Sequence, residues 1–171
     1  MNEQPNAVTF KGNAMTLQGD PIEAGQKAPD FTLVANDLSQ KSLSDFAGKT
    51  VILSVVPSLD TGTCDAQTRR FNEEAAKFGD NVVVLTVSLD LPFAQKRWCG
   101  AAGIEHVTTL SDYRDRQFGP SYGVLLKELG LLTRAVFIID PEGVVRYKQI
   151  VPEVAEEPDY ADVLNALQQL A

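Results

Sequence analysis

Cys64 stands where a chain can make a thiol reactive. It follows residues 51–56, all apolar except Ser54, which read as a fully buried strand. Pro57 ends that strand, because proline offers no N–H to a ladder. Thr61 or Thr63 can cap a helix that continues through Ala66, Phe71, Ala75 and Phe78. The sulfur then lies in or near the first helical turn. Open N–H groups and the helix dipole stabilise an anion there, and a thiolate is a nucleophile. The same placement also suits an inert cysteine, since free cysteines often serve as small core residues.

Few other side chains here could join such chemistry. Cys99 is the second of two cysteines, and His106 is the single histidine. Their spacing matches no zinc pattern, and a fourth ligand would have to be a carboxylate. In a secreted chain the two cysteines would read as one staple; in a reducing cytosol, as inert, catalytic or redox-active thiols. Arg134 directly precedes the apolar run 135–139 and by itself is a strand-end charge. His106 reads as a boundary histidine without a catalytic role, and Trp98, Tyr122 and Phe93 read as packing. Gly48-Lys49-Thr50 imitates the tail of a phosphate-binding loop. Leu43, however, stands where that loop needs glycine, and the strand follows the motif instead of preceding it.

The elements that must position these residues alternate along the chain. Val8–Phe10 and Ala14–Leu17 flank a Gly12-containing turn and predict a hairpin. It is too small to be stable alone, so it must lie on the main body. Residues 30–35 alternate as a strand, and 42–48 predict one helical turn closed by Gly48. After the 51–56 strand and the Cys64 helix, residues 81–88 predict a second buried strand. A helix then begins at Pro92, capped by Ser88 or Asp90, and exits at Gly100. Residues 107–110 make a short strand, and 111–130 are partly helical, with Gly119-Pro120 as a break. Residues 135–139 and 144–151 form a hairpin around Asp140-Pro-Glu-Gly143. Residues 159–170 close the chain as an amphipathic helix with Val163, Leu164, Leu167 and Leu170 on one side. Strands alternating with helices imply an α/β fold with a central mixed sheet flanked by helices.

The spacing Pro57-x-x-x-Thr61-x-x-Cys64, in the string Pro-Ser-Leu-Asp-Thr-Gly-Thr-Cys, resembles the active-site motif of peroxiredoxins and most closely their thiol peroxidase branch. The segment 28–33, the N-terminal hairpin and the helix ending Arg-Trp-Cys99-Gly are similar to that branch too. The resemblance implies a thioredoxin-like fold, with residues 1–20 as a hairpin extension and 21–171 as the peroxiredoxin domain. It also implies an antioxidant enzyme that reduces hydrogen peroxide and organic hydroperoxides without a cofactor or metal. Cys64 would be the peroxidatic thiol, oxidised to a sulfenic acid, and Cys99 the resolving thiol that closes an intrachain disulfide. Thioredoxin or a similar dithiol would then reduce that disulfide. The family places an arginine at the position of Arg134 against the sulfur and the peroxide, a threonine hydroxyl at Thr61 on the peroxide oxygen, and a proline at Pro57 that shields the thiolate. Arginine suits its role, being always charged and offering several fixed donors. Thr63 departs from the pattern, which is usually apolar there. The resemblance also implies a homodimer.

Composition narrows the alternatives. A chain of 171 residues with 44% hydrophobic content suits one domain with a real core. Its net charge, 15 − 23 = −8, argues against nucleic acid or an anionic membrane as a partner. The longest apolar runs are strand length, so none is expected to span a membrane. The first ten residues lack a basic region followed by an apolar core, which predicts no signal peptide and a cytoplasmic location. A thiol–disulfide oxidoreductase usually carries Cys-x-x-Cys, whereas Asp65-Ala66-Gln67 follow Cys64 here. A binding module with a permanent Cys64–Cys99 staple would belong outside the cell. Finally, helix length puts Cys99 about 13 Å along its helix from Leu91. That predicts two cysteines starting near opposite edges of the sheet, with local unwinding needed to join them.

Overall fold

The computed structural model describes residues 1–170. Its centre is β5 (Thr50–Val55), buried at every position. β5 pairs in parallel with β6 (Val82–Ser88), and β6 in parallel with β7 (Thr108–Ser111). On its other side β5 pairs antiparallel with β10 (Ala135–Ile139), which in turn holds β11 (Val145–Ile150). β3 (Thr32–Ala35) and β4 (Gln40–Ser42) extend the far side, giving a seven-stranded mixed sheet ordered β11-β10-β5-β6-β7-β3-β4. The α/β reading and its mixed sheet hold.

Side-chain alternation divides the core between the two faces. Val51, Leu53 and Val55 meet Phe31, Phe118, Tyr122 and Phe137 on one. Ile52, Val84, Val136 and Ile138 meet Phe71 of α1 (Gly62–Ala75) and Val163 of α4 (Tyr160–Gln169) on the other. Tyr122 is packing, as expected, its hydroxyl donating to the Pro29 carbonyl at 2.6 Å. Phe93 is not: it is 67% exposed. The amphipathic stripe of α4 is shorter than its pattern, because the helix stops at Gln169 and Leu170 lies exposed beyond it.

Several boundaries moved for local reasons. α2 (Pro92–Ala102) runs through Gly100 and exits at Gly103, whose φ of +68° suits glycine. Gly119-Pro120 is no break. Both lie inside the short helix α3 (Phe118–Tyr122), where the missing proline N–H is tolerated in the first turn. The turn expected at 42–48 is a 3-10 turn, Leu43–Phe46, with the Ser42 N–H donating to Asp45 at 2.8 Å.

The N-terminal hairpin, β1 (Glu3–Phe10) with β2 (Asn13–Gln18), does lie on the body. Two short strands the pattern did not show, β8 (Leu125–Leu126) and β9 (Leu131–Leu132), complete a second sheet ordered β1-β2-β8-β9. The hairpin is also fastened to the segment after β11. Glu153 accepts from the Gly12 N–H at 2.9 Å and the Thr9 hydroxyl at 3.1 Å, and Thr9 N–H donates to the Pro152 carbonyl at 2.8 Å. Hydrogen bonds from the Ala155 and Gly12 N–H groups lower the Glu153 carboxyl to about 2. Because the folded value is depressed, the contribution is present above the ordinary carboxylate range and lost as pH falls toward about 2. The protection of the β1–β2 amides, measured against their intrinsic exchange rates, is therefore expected to fall on acidification below about pH 4.3. A Glu153→Gln chain should show much less of this pH dependence; an equal loss of protection in that variant would place the acid response elsewhere.

Candidate active site

The site lies at the end of β5, where Pro57 turns the chain toward α1. Thr61 is the helix N-cap: its hydroxyl accepts from the Cys64 N–H at 3.3 Å and donates to the Ser58 carbonyl at 3.1 Å. Of the two candidate caps it is Thr61, not Thr63, that serves. Cys64 falls in the first turn and is fully buried, among Val56 and Leu59 with Trp98 packed against them.

Arg134 reaches this sulfur from the entrance to β10. Its three guanidinium nitrogens have separate acceptors: Nε donates to the Val154 carbonyl at 2.8 Å, Nη1 to Gln67 Oε1 at 2.9 Å and Nη2 to Cys64 Sγ at 3.2 Å. Arg134 is only 2% exposed, so it is no strand-end surface charge. A buried cation needs a compensating charge. Two of its three acceptors are neutral carbonyl oxygens, and the third is the Cys64 sulfur.

Gln67 is the residue the sequence reading missed. It is fully buried, and its amide donates to Ser54 Oγ at 2.8 Å while its carbonyl holds Arg134. The buried face of α1 is Cys64, Gln67, Thr68 and Phe71, largely polar, whereas the apolar pattern had drawn attention to Ala66, Phe71, Ala75 and Phe78. The signal was the i, i+3, i+4, i+7 spacing counted from Cys64. Ser54, the one polar residue in an otherwise apolar strand, marks the other end of the same bond.

Cys99 stands apart. Its sulfur lies 3.6 Å from Thr109 Oγ1 on β7, and both cysteines are free. Arg134, which meets Cys64, leads into β10. Three strand spacings separate β10 from β7, about 14 Å. Ser54, Thr86 and Thr109 share one transverse row of the sheet. The cysteines are thus offset across the interior of the sheet and not at opposite edges, which are β11 and β4. Burial raises the Cys99 thiol above its ordinary value, against hydrogen bonds from Thr109 and Asn36 that lower it. Its neighbour Trp98 turns the other way, donating from Nε1 to Asp65 at 3.3 Å.

Asp90 does not cap α2; Leu91 takes that position without a side-chain bond. The Asp90 carboxylate instead accepts from Ser58 Oγ at 2.7 Å and the Leu59 N–H at 2.8 Å. It fixes the loop before α1 to the start of α2. His106 is exposed, and its backbone N–H donates to Asn72 Oδ1 at 2.8 Å. Beside the guanidinium opens a cavity of about 280 Å³, whose lining includes Pro57, Thr61, Phe10, Leu129, Leu131 and Arg134. Among the described residues, no cluster of His, Cys, Asp and Glu could hold a metal ion, and no helix is long and apolar enough to cross a membrane.

A buried cysteine at a helix start, facing a buried arginine at the end of a mixed sheet, is the arrangement of a thiol-based redox enzyme. A family model described as Redoxin matches residues 23–164, and the chain belongs to that family. Within it the chain is a peroxiredoxin-type oxidoreductase, a thiol-dependent peroxidase. A thiol peroxidase of Bacillus subtilis is 56% identical over 163 residues, covering 95% of this chain and 97% of its own. A thiol peroxidase of Halalkalibacterium halodurans is 58% identical over 160 residues, covering 94% of this chain and 96% of its own. A solved peroxiredoxin-like protein from Aquifex aeolicus shares 44% identity at a TM-score of 0.91, covering 97% of this chain and 98% of that one.

The buried bonds around Arg134 make Gln67 testable in two directions. Gln67→Ala leaves a guanidinium N–H and the Ser54 hydroxyl unpaired, and is expected to cost about 2–3 kcal/mol in urea unfolding. Gln67→Glu supplies a rival anion for Arg134, and is expected to slow the reaction of Cys64 with hydrogen peroxide at neutral pH in stopped-flow measurements. An undiminished rate in Gln67→Glu would mean that the guanidinium does not govern the sulfur.

Proposed function

We propose that Cys64 is the peroxidatic thiol, that Cys99 resolves it within the chain, and that a dithiol protein such as thioredoxin completes the cycle. The observation that supports this most directly is the 3.2 Å contact between Arg134 Nη2 and a buried Cys64 Sγ. In the first step the thiolate attacks one peroxide oxygen. The S–O bond forms and the O–O bond breaks, so sulfur loses two electrons and the departing oxygen gains them and a proton, leaving as water or alcohol. Negative charge grows on that oxygen, and the guanidinium and open N–H groups of the helix start offer donors for it. Thr61 positions the peroxide beside its cap contact, and Pro57 closes the wall of the cavity against water. Peroxides small enough for about 280 Å³ fit, hydrogen peroxide and short organic hydroperoxides among them.

In the second step the Cys99 sulfur attacks the Cys64 sulfenic acid. The S–S bond forms, the S–O bond breaks, and hydroxide takes the Cys99 proton to leave as water. In the reduced arrangement the two free sulfurs have different partners, Arg134 for Cys64 and Thr109 for Cys99, so joining them calls for the first turn of α1 and the Trp98–Cys99 end of α2 to open. Opening also frees the Cys99 thiol from the burial that holds it protonated. The pairing of subunits into a homodimer and a place in the cytoplasm, in the setting of antioxidant defence, complete this reading.

Two variants separate the roles. Cys64→Ser is expected to abolish peroxide reduction in an assay coupled to thioredoxin and its reductase. Cys99→Ser is expected to consume one equivalent of peroxide and then stall. Sustained turnover in Cys99→Ser would remove Cys99 from the cycle, and turnover in Cys64→Ser would overturn the assignment as a whole. The raised Cys99 thiol gives a pH test in the reduced protein. Its folded value is raised, so the packing of α2 is at its full strength below the ordinary thiol range, about 8.5, and weakens as pH rises above it. Alkylation of Cys99 in the Cys64→Ser chain should therefore lag behind that of a free thiol until the pH passes that range; matching rates throughout would show that Cys99 is not held.

A further inference from the structure

Thr63 has no part in the chemistry above, although it immediately precedes the nucleophile. It stands where the family pattern is usually apolar. Its Oγ1 donates to the Ala155 carbonyl at 2.9 Å, joining the first turn of α1 to a segment 92 residues away. The carbonyl just before, that of Val154, is the one that accepts Arg134 Nε. Two successive carbonyls of one short segment therefore hold the helix that carries the sulfur and the cation that faces it. The segment itself is fastened. Val154 N–H donates to the Thr9 carbonyl at 2.8 Å, and Ala155 N–H donates to Glu153 at 2.7 Å. Glu153 in turn is bound by the hairpin.

We infer that Thr63 is a positioning residue that latches the first turn of α1 to the 152–155 segment, and so sets how oxidised Cys64 divides between disulfide formation and overoxidation. The inference rests on the Cys64–Cys99 reading. The Thr63–Ala155 bond exists only while the first turn is closed, so it stabilises the closed form and nothing in the open one. The closed form keeps the oxidised sulfur beside Arg134 and the peroxide cavity. There the sulfenate can attack a second peroxide: another S–O bond forms, the O–O bond breaks, sulfur loses two more electrons to become a sulfinic acid, and water or alcohol departs. The open form instead lets Cys99 in. Valine would keep the branched shape of Thr63 and lose the bond.

The test uses the full chain as wild type, Thr63→Val and Thr63→Ser. Each is fully reduced, exposed to a range of hydrogen peroxide concentrations and quenched, and the Cys64 product is read by mass spectrometry. Thr63→Val is expected to lower the ratio of sulfinic acid to disulfide by about two- to tenfold, the range for losing one neutral hydrogen bond. Thr63→Ser should return it toward the wild-type ratio. Hydrogen exchange of the reduced chains gives a second readout: amides 62–66 should exchange faster in Thr63→Val, with those of α4 unchanged. Equal ratios in wild type and Thr63→Val, a serine variant that behaves like valine, or unaltered exchange at 62–66 would each overturn the latch. A wild-type chain in which Cys64 never pairs with Cys99 would overturn the underlying reading as well, and wild type alone reveals that outcome.

Discussion

Everything at the active end of this molecule answers to one constraint, a guanidinium kept out of water. Removing Arg134 from solvent costs several kcal/mol unless each donor is met and its charge offset. The chain meets the donors with one backbone carbonyl, one amide and one sulfur, from two separate parts of the sequence. β10 brings the arginine, α1 brings both Gln67 and Cys64, and the segment after β11 brings the carbonyl. The parallel pair β5–β6 and the antiparallel pair β5–β10 fix where those parts converge. The Cys64 sulfur is thereby a structural partner of the buried cation as well as the proposed nucleophile.

That arrangement explains why α1 is so polar on its inner face. A helix over a sheet usually buries an apolar stripe. Here the first half of the buried face is Cys64, Gln67 and Thr68, and only Phe71 resumes ordinary packing. The helix start is held by side-chain and backbone hydrogen bonds more than by area, through Thr61, Thr63 and Gln67. Such an end can open without dismantling the core, because the clusters around Phe71 and Val163 lie farther along.

The layout of the sheet was legible in the sequence because β5, β6 and β10 are apolar runs of strand length, and turn residues frame the β10–β11 hairpin. Pro57, Thr61 and Cys64 come from one motif, and Arg134, a strand-end charge by pattern alone, was set against the sulfur only by the resemblance to peroxiredoxins; it lies 3.2 Å from Cys64 Sγ. What the pattern did not show has physical causes. β8 and β9 are two residues each, too short for any period to register. Gly100 has the look of a helix exit, but only Gly103 adopts the left-handed conformation that ends α2. Asp90 has the composition of a cap, yet its carboxylate is claimed by Ser58 and Leu59, partners some thirty residues upstream. Gln67 went unread because an apolar search passes over a glutamine, and its value depends on a residue 67 positions later.

The chain contains a single tryptophan. It packs against Val56, Leu59 and Cys64, and its indole N–H rests on the carboxylate next to that cysteine. An indole so placed reports on its surroundings through its emission. In the proposed cycle, sulfur oxidation and the opening of the first turn of α1 and of the Trp98–Cys99 end of α2 would each alter the polarity and quenching around one chromophore, with no second indole to blur the signal. The chain thus carries a built-in optical gauge of the proposed cycle, readable without label or coupling enzyme.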